Sequence, residues 1–165
     1  MAKAKPTIIL RGLISLSLLI AAIVMLVSYQ KVDIMPTGTK FIARYRDWDI
    51  FTMSMIVYFI GSIYNFSVLF LCVGSMLWRP IIVVDMILIM IIGGSLSAAW
   101  QTFSLIQNGA PYVGWYPICK IVPHFCSCII GSLSVASIGL VLQLVLLLWC
   151  LHYVLNFLLL VESPY

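Results

Sequence analysis

IILRGLISLSLLIAAIVMLVSY, residues 8–29, decides the class of the fold. Apart from Arg11 it carries no charge, and its apolar residues fall on every helical face. A helix needs roughly 20 mostly apolar residues to cross a hydrocarbon core of about 30 Å. The stretch therefore predicts a membrane-spanning helix. Lys3 and Lys5 lend it the basic start of a signal peptide. Its apolar run exceeds the usual length of about 7–15 residues, and no small-x-small cleavage site follows, so it reads as an uncleaved anchor.

Three further runs of this kind lie outward from it, at about 50–77, 81–105 and 126–161. The fourth is longer than one crossing requires, so it either tilts or projects past the lipid. Of the 165 residues, 64% are apolar and 8% charged, against about 45–50% and about 25% in soluble domains. This excludes a soluble globule and a disordered chain. Nine Lys or Arg against five Asp or Glu leave a net charge of +4, too small and too scattered for a nucleic-acid partner. A membrane barrel alternates polar and apolar residues, whereas these runs do not. The expectation is an all-α membrane protein, one four-transmembrane-helix bundle over residues 1–165.

The connections differ in character. Residues 30–49 read as a polar outer loop with Pro36, Gly38 and a charged run from Arg44 to Asp49. Trp78-Arg79-Pro80 reads as a tight turn that makes the second and third helices antiparallel neighbours. Residues 106–125 read as a second outer loop, with the turn formers Asn108-Gly109, Pro111, Pro117 and Pro123. Tyr29, Tyr45, Trp48, Trp78, Tyr112, Trp115 and Tyr116 gather at the edges, as interface aromatics do. Four crossings put both termini on one side. The two sides carry similar numbers of cations, but the basic start of the first helix favours cytosolic termini. So do Cys119 and Cys126 in the second loop, where a disulfide persists only in an oxidising compartment.

Two charges fall inside the spans. Arg11 sits about three residues into the first apolar run and Asp85 about four into the third, both counted from the same membrane side. At 1.5 Å per residue that is a matched depth of about 5–6 Å. An ion pair clamping helices one and three would offset the insertion cost of the carboxylate. Two other readings stay open: Asp85 on an ion or proton path, and Arg11 snorkelling to headgroups. Asn65, Gln143, His152 and Asn156 are the other polar residues of note in the spans. His152 and Asn156, four apart, are placed to bond each other.

Helices in lipid associate through small residues and side-chain hydrogen bonds. Gly93, Gly94, Ser97 and Ala98 form such a seam on the third helix, and Gly131, Ser132 and Ala136 on the fourth. These seams either pack the bundle internally or face a second subunit. Cys119 and Cys126 are placed to close a short disulfide loop at the start of the fourth helix. Cys128 competes as the partner of Cys119, and free thiols are the other alternative. Cys72 is a weak candidate for palmitoylation, and Cys150 reads as a packing residue. The chain has no Gly-rich phosphate loop, nucleophile elbow or HExxH motif, so neither catalysis nor a cofactor or metal is expected.

Several of these residues also match a family. Leu10-Arg11 opens the first helix, Ala43-x-Tyr45-x-Asp47 precedes the second, and Arg79-Pro80 with Asp85 opens the third. Ser97-Ala98-Ala99 and Asn108-Gly109 end that helix. Trp115-x-x-x-Cys119, Phe125-Cys126, Gly131-Ser132 and Ser137 follow. In order and spacing the chain resembles the Casparian-strip membrane domain protein-like (CASP-like) proteins of plants, four-span relatives of the MARVEL fold. Claudins place their cysteines in the first loop and tetraspanins carry Cys-Cys-Gly, so neither fits. The resemblance implies cytosolic termini, a plasma-membrane location and self-association into homo- or hetero-oligomers with related four-span proteins. In the founding subgroup it implies a scaffold that marks a membrane domain and gathers cell-wall enzymes. The first loop here lacks that subgroup's longer aromatic signature. The expected function is a non-enzymatic membrane scaffold whose partners are like proteins and membrane lipids. The alternatives are an auxiliary subunit of a channel or transporter, and an oligomeric channel.

Overall fold

A computed structural model describes residues 5–34, 39–71, 78–109 and 117–161. Four helices dominate it: α1 (Lys5–Val27), α2 (Asp49–Leu71), α3 (Trp78–Asn108) and α4 (Pro123–Val161). All four are long and apolar enough to cross a membrane. With nearly every residue apolar, backbone groups in lipid must bond within their own segment, which a helix satisfies.

The helices pack in a ring. α1 lies along α2 and α4, and α3 lies along the same two helices from the other side. α1 and α3 thus stand at opposite corners. Ile14, Leu18 and Met25 of α1, Tyr58 of α2, Ile92 of α3 and Leu133 of α4 fill the centre and are fully buried. Their outward neighbours, such as Leu16, Ile60, Met90 and Val141, remain exposed, as lipid-facing side chains do.

Each neighbouring pair also carries a polar stitch. Ser15 Oγ donates to Ser62 O at 3.0 Å and Ser62 Oγ to Ser15 O at 2.9 Å, tying α1 to α2. Ser54 Oγ donates to Ser95 O (3.3 Å) between α2 and α3. Trp100 Nε1 donates to Ser137 Oγ (3.3 Å) between α3 and α4. Ser132 Oγ donates to Ala21 O (2.7 Å) between α4 and α1. In hydrocarbon these hydroxyls find no water, so a carbonyl is their acceptor, on the facing helix for Ser15, Ser62, Ser54 and Ser132 and on its own helix for Ser137, which donates to Leu133 O.

Two connections depart from the sequence reading. The polar loop at 30–49 is structured: β1 (Tyr29–Ile34) pairs antiparallel with β2 (Thr39–Arg44), Tyr29 opposite Arg44, followed by a 3-10 turn over Tyr45–Asp47. Gln30 turns toward the bundle, where its Oε1 accepts the Phe125 amide of α4 at 2.9 Å. Trp78-Arg79-Pro80 is not a turn but the first turn of α3. Proline is accepted there because the amide it lacks has no intrahelical partner anyway. The second helix, read as reaching residue 77, is described to Leu71, and the remainder lies outside the described residues. At the other end of α3, Gly109 has a φ of 70° and donates its amide to Leu105 O at 2.9 Å. That left-handed cap is the conformation glycine allows most cheaply.

The length of α4 has a definite consequence. Arg11, Asn65, Asp85 and Gln143 meet at one level, as detailed below. From that level the described parts of α1, α2 and α3 reach back six, six and seven residues (11 to 5, 65 to 71, 85 to 78). α4 continues eighteen (143 to 161) and therefore projects past the described ends of its neighbours.

Candidate functional site

Among the described residues the interior holds one charged cluster, built from all four helices. Arg11 is the seventh residue of α1 and Asp85 the eighth of α3, because both helices begin earlier than their apolar runs. That places the pair about 9–11 Å along each helix from its first residue. Their side chains are only 3% and 2% exposed.

Arg11 Nη2 lies 2.6 Å from Asp85 Oδ2, and Nη1 donates to Oδ1 at 3.3 Å. Two parallel bonds match the planar fork of the guanidinium to the carboxylate. Nη1 also reaches Asn65 Oδ1 at 3.4 Å, and Asn65 Nδ2 donates to Gly61 O of its own helix at 2.9 Å. Gln143 Nε2 donates to Asp85 Oδ1 at 3.2 Å. α1 thus supplies the cation, α3 the anion, α2 an acceptor for the first and α4 a donor for the second. The pair bridges the diagonal of the ring, where backbone packing alone would leave α1 and α3 apart. Asn65 and Gln143 are fully buried. The sequence reading passed over both as cluster members. Their signal was their height: each lies level with the charges once the helices are laid antiparallel.

Chemically the cluster is self-contained. A buried ion pair is held only where geometry and extra hydrogen bonds offset its desolvation, and here both partners have such bonds. Among the described residues no three His, Cys, Asp or Glu side chains gather in a metal-binding group. His152 is exposed; the Asn156 side chain lies outside the described residues, so their pairing does too.

The expected seams divide. Ser132 and Ala136 are buried in the bundle. A Cβ on Gly93 would meet Leu140 Cδ2 at an ordinary 3.8 Å. Gly94 and Ser97 are exposed, Ala98 is half-buried, and a Cβ on Gly94 or Gly131 would meet nothing within 4 Å. The tight approaches lie elsewhere. A Cβ on Gly139 would fall 2.7 Å from Ser17 Oγ, and one on Gly61 3.1 Å from Ile92 Cδ1.

At the start of the fourth span, Cys119 and Cys126 form a disulfide with Cα atoms 5.7 Å apart. It ties the 3-10 turn Ile118–Lys120 to the first turn of α4. Cys128, the competing partner, instead sits with Sγ 3.8 Å from His124 Nδ1. Cys150 is half-buried against the core, and Cys72 lies outside the described residues. Cys119 and Cys126 are expected to resist alkylation until reduced, and Cys126→Ser to lower stability by about 2–3 kcal/mol, the cost of releasing so short a loop. Mass spectrometry of alkylated protein and a denaturation series check the two halves of this prediction.

Comparison with known proteins extends the picture. Residues 1–142 match the model of the Casparian strip membrane protein domain. The chain belongs to the CASP-like family. The CASP-like protein 1C1 of Arabidopsis thaliana is 37% identical over 145 residues, 88% of this chain and 87% of that protein. The CASP-like protein 1C1 of Vitis vinifera is 34% identical over 158 residues, 94% of this chain and 98% of that protein. No solved structure matches. Within this CASP-like chain, Arg11, Asn65 and Asp85 fall inside the matched domain, and Gln143 stands one position beyond its end.

Proposed function

We propose that this CASP-like protein is a non-enzymatic organiser of the plasma membrane, with cytosolic termini, that self-associates or joins related four-span chains to define membrane domains. One observation supports this most directly. Gly94 and Ser97 of α3 are exposed and Gly131 of α4 is half-buried, and among the described residues no neighbouring element comes within 4 Å of a Cβ at either glycine. Bare small residues let a second helix backbone approach closely, which is how helices associate in lipid. The buried cluster supports the same reading, since its two charges bond each other, with Asn65 and Gln143 as further partners.

Gly94→Leu and Gly131→Leu are expected to leave the bundle intact while lowering self-association about tenfold, read by cross-linking in membranes and native mass spectrometry. A wild-type chain that stays single and co-purifies in fixed ratio with one transport protein would overturn the proposal in favour of an auxiliary subunit. Unchanged self-association in both variants would overturn the assigned surface.

A further inference from the structure

An apolar groove of about 350 Å³ runs between α1 and α4 on the half of the bundle where α1 begins. α1 contributes Ile9, Leu10 and Leu13, and α4 contributes Val145, Leu146 and Trp149. Leu146 is 1% exposed, and Leu10 packs on the core, so the lining includes interior as well as surface residues. Ile9 and Trp149 are more than half exposed. The volume falls within the range of about 300–1,000 Å³ typical of small-molecule sites. A space of this size beside packed apolar side chains does not stay empty in a bilayer, because its walls would forgo their dispersion contacts.

We infer that the groove holds an acyl chain of one anionic phospholipid, with the phosphate at the start of α1. The charge favours this occupant. Lys5 opens α1, two residues before Thr7, which also lines the groove. No acidic residue stands in that first turn, so the unpaired amides and the positive end of the helix dipole add to the lysine. A second copy docking here through its own α1 would set two basic helix starts side by side, which disfavours it. Basic surfaces between transmembrane helices are suited to anionic headgroups, each lysine being worth about fivefold in affinity.

The test uses the full chain in bilayers of equal phosphatidylcholine and phosphatidylserine, released into native mass spectrometry. One phospholipid retained per chain, enriched in phosphatidylserine, is expected. Leu13→Trp fills the groove from a half-exposed position and is expected to abolish retention with helicity unchanged. Lys5→Gln is expected to keep a lipid but lose about fivefold of the anionic preference. A phospholipid with a photoreactive acyl chain, applied to the unaltered protein, is expected to label residues 9–13 and 145–149. Labelling confined to other surfaces, absence of retained lipid, retention with no preference for the anion, or a second chain in place of the lipid would overturn the inference.

Discussion

Replacing Asp85 with Asn is expected to destabilise the bundle by about 3–5 kcal/mol, the range for removing one partner of a buried ion pair. The geometry explains why the loss is large. Arg11 would keep its charge in a site that leaves it 2% exposed, with both of its bonds to the carboxylate lost. Gln143 Nε2 would lose the carboxylate oxygen that now accepts it at 3.2 Å. Because the pair is the link across the diagonal, its loss frees α1 and α3 together rather than one neighbouring contact. Unfolding in mixed micelles and delivery to the cell surface are the two readouts.

Two companion variants separate charge pairing from bulk. Arg11→Met with Asp85→Leu is expected to recover most of the loss, since an apolar replacement of a whole buried pair is often neutral. Exchanging the charges, Arg11→Asp with Asp85→Arg, is expected to recover part. Gln143 can turn its amide and offer Oε1 to an arginine at position 85, an oxygen that has no side-chain or backbone partner now. Asn65 has no such freedom, because its Nδ2 is held by Gly61 O at 2.9 Å. Equal damage in Asp85→Asn and in both double variants would show that the site tolerates nothing but its native shape, and the electrostatic account would fail.

How much of this was legible in the chain depends on the kind of signal. Spans are legible because lipid demands long apolar runs, and Arg11 and Asp85 because a charge in such a run has few explanations. Asn65 and Gln143 carry no charge, and in helices apolar on all sides nothing marks which face turns inward. Small-residue spacing fails for the same reason: Gly94 and Ala136 look alike in sequence, yet one is exposed and the other is fully buried. The hairpin was hidden by its composition. Lys31 and Asp33 alternate with Val32 and Ile34, a period of two, but the charges and Pro36-Thr37-Gly38 give the segment the look of a loop. At Trp78-Arg79-Pro80 the proline suggested a break, although a first helical turn accepts it.

Gly139→Val tests the packing that spacing could not reveal, and it is expected to cost about 1–3 kcal/mol, the range for overfilling a packed interior. The new Cβ would stand 2.7 Å from Ser17 Oγ and 3.2 Å from Leu18 Cδ2. Rotation of the serine relieves only the first of these and gives up its bond to Ile14 O at 2.9 Å. Leu18 is fully buried and has no room to withdraw, so α4 must move away from α1. That movement strains the Ser132–Ala21 bond two turns along. Gly12→Val is the matched control, with the same added methyl groups, the same β-branching in a helix and open space around the Cβ. A loss in Gly139→Val that exceeds the loss in Gly12→Val isolates steric contact from helix propensity. Equal losses would mean that α1 and α4 are not held at this distance, and the groove between them would lose its fixed shape as well.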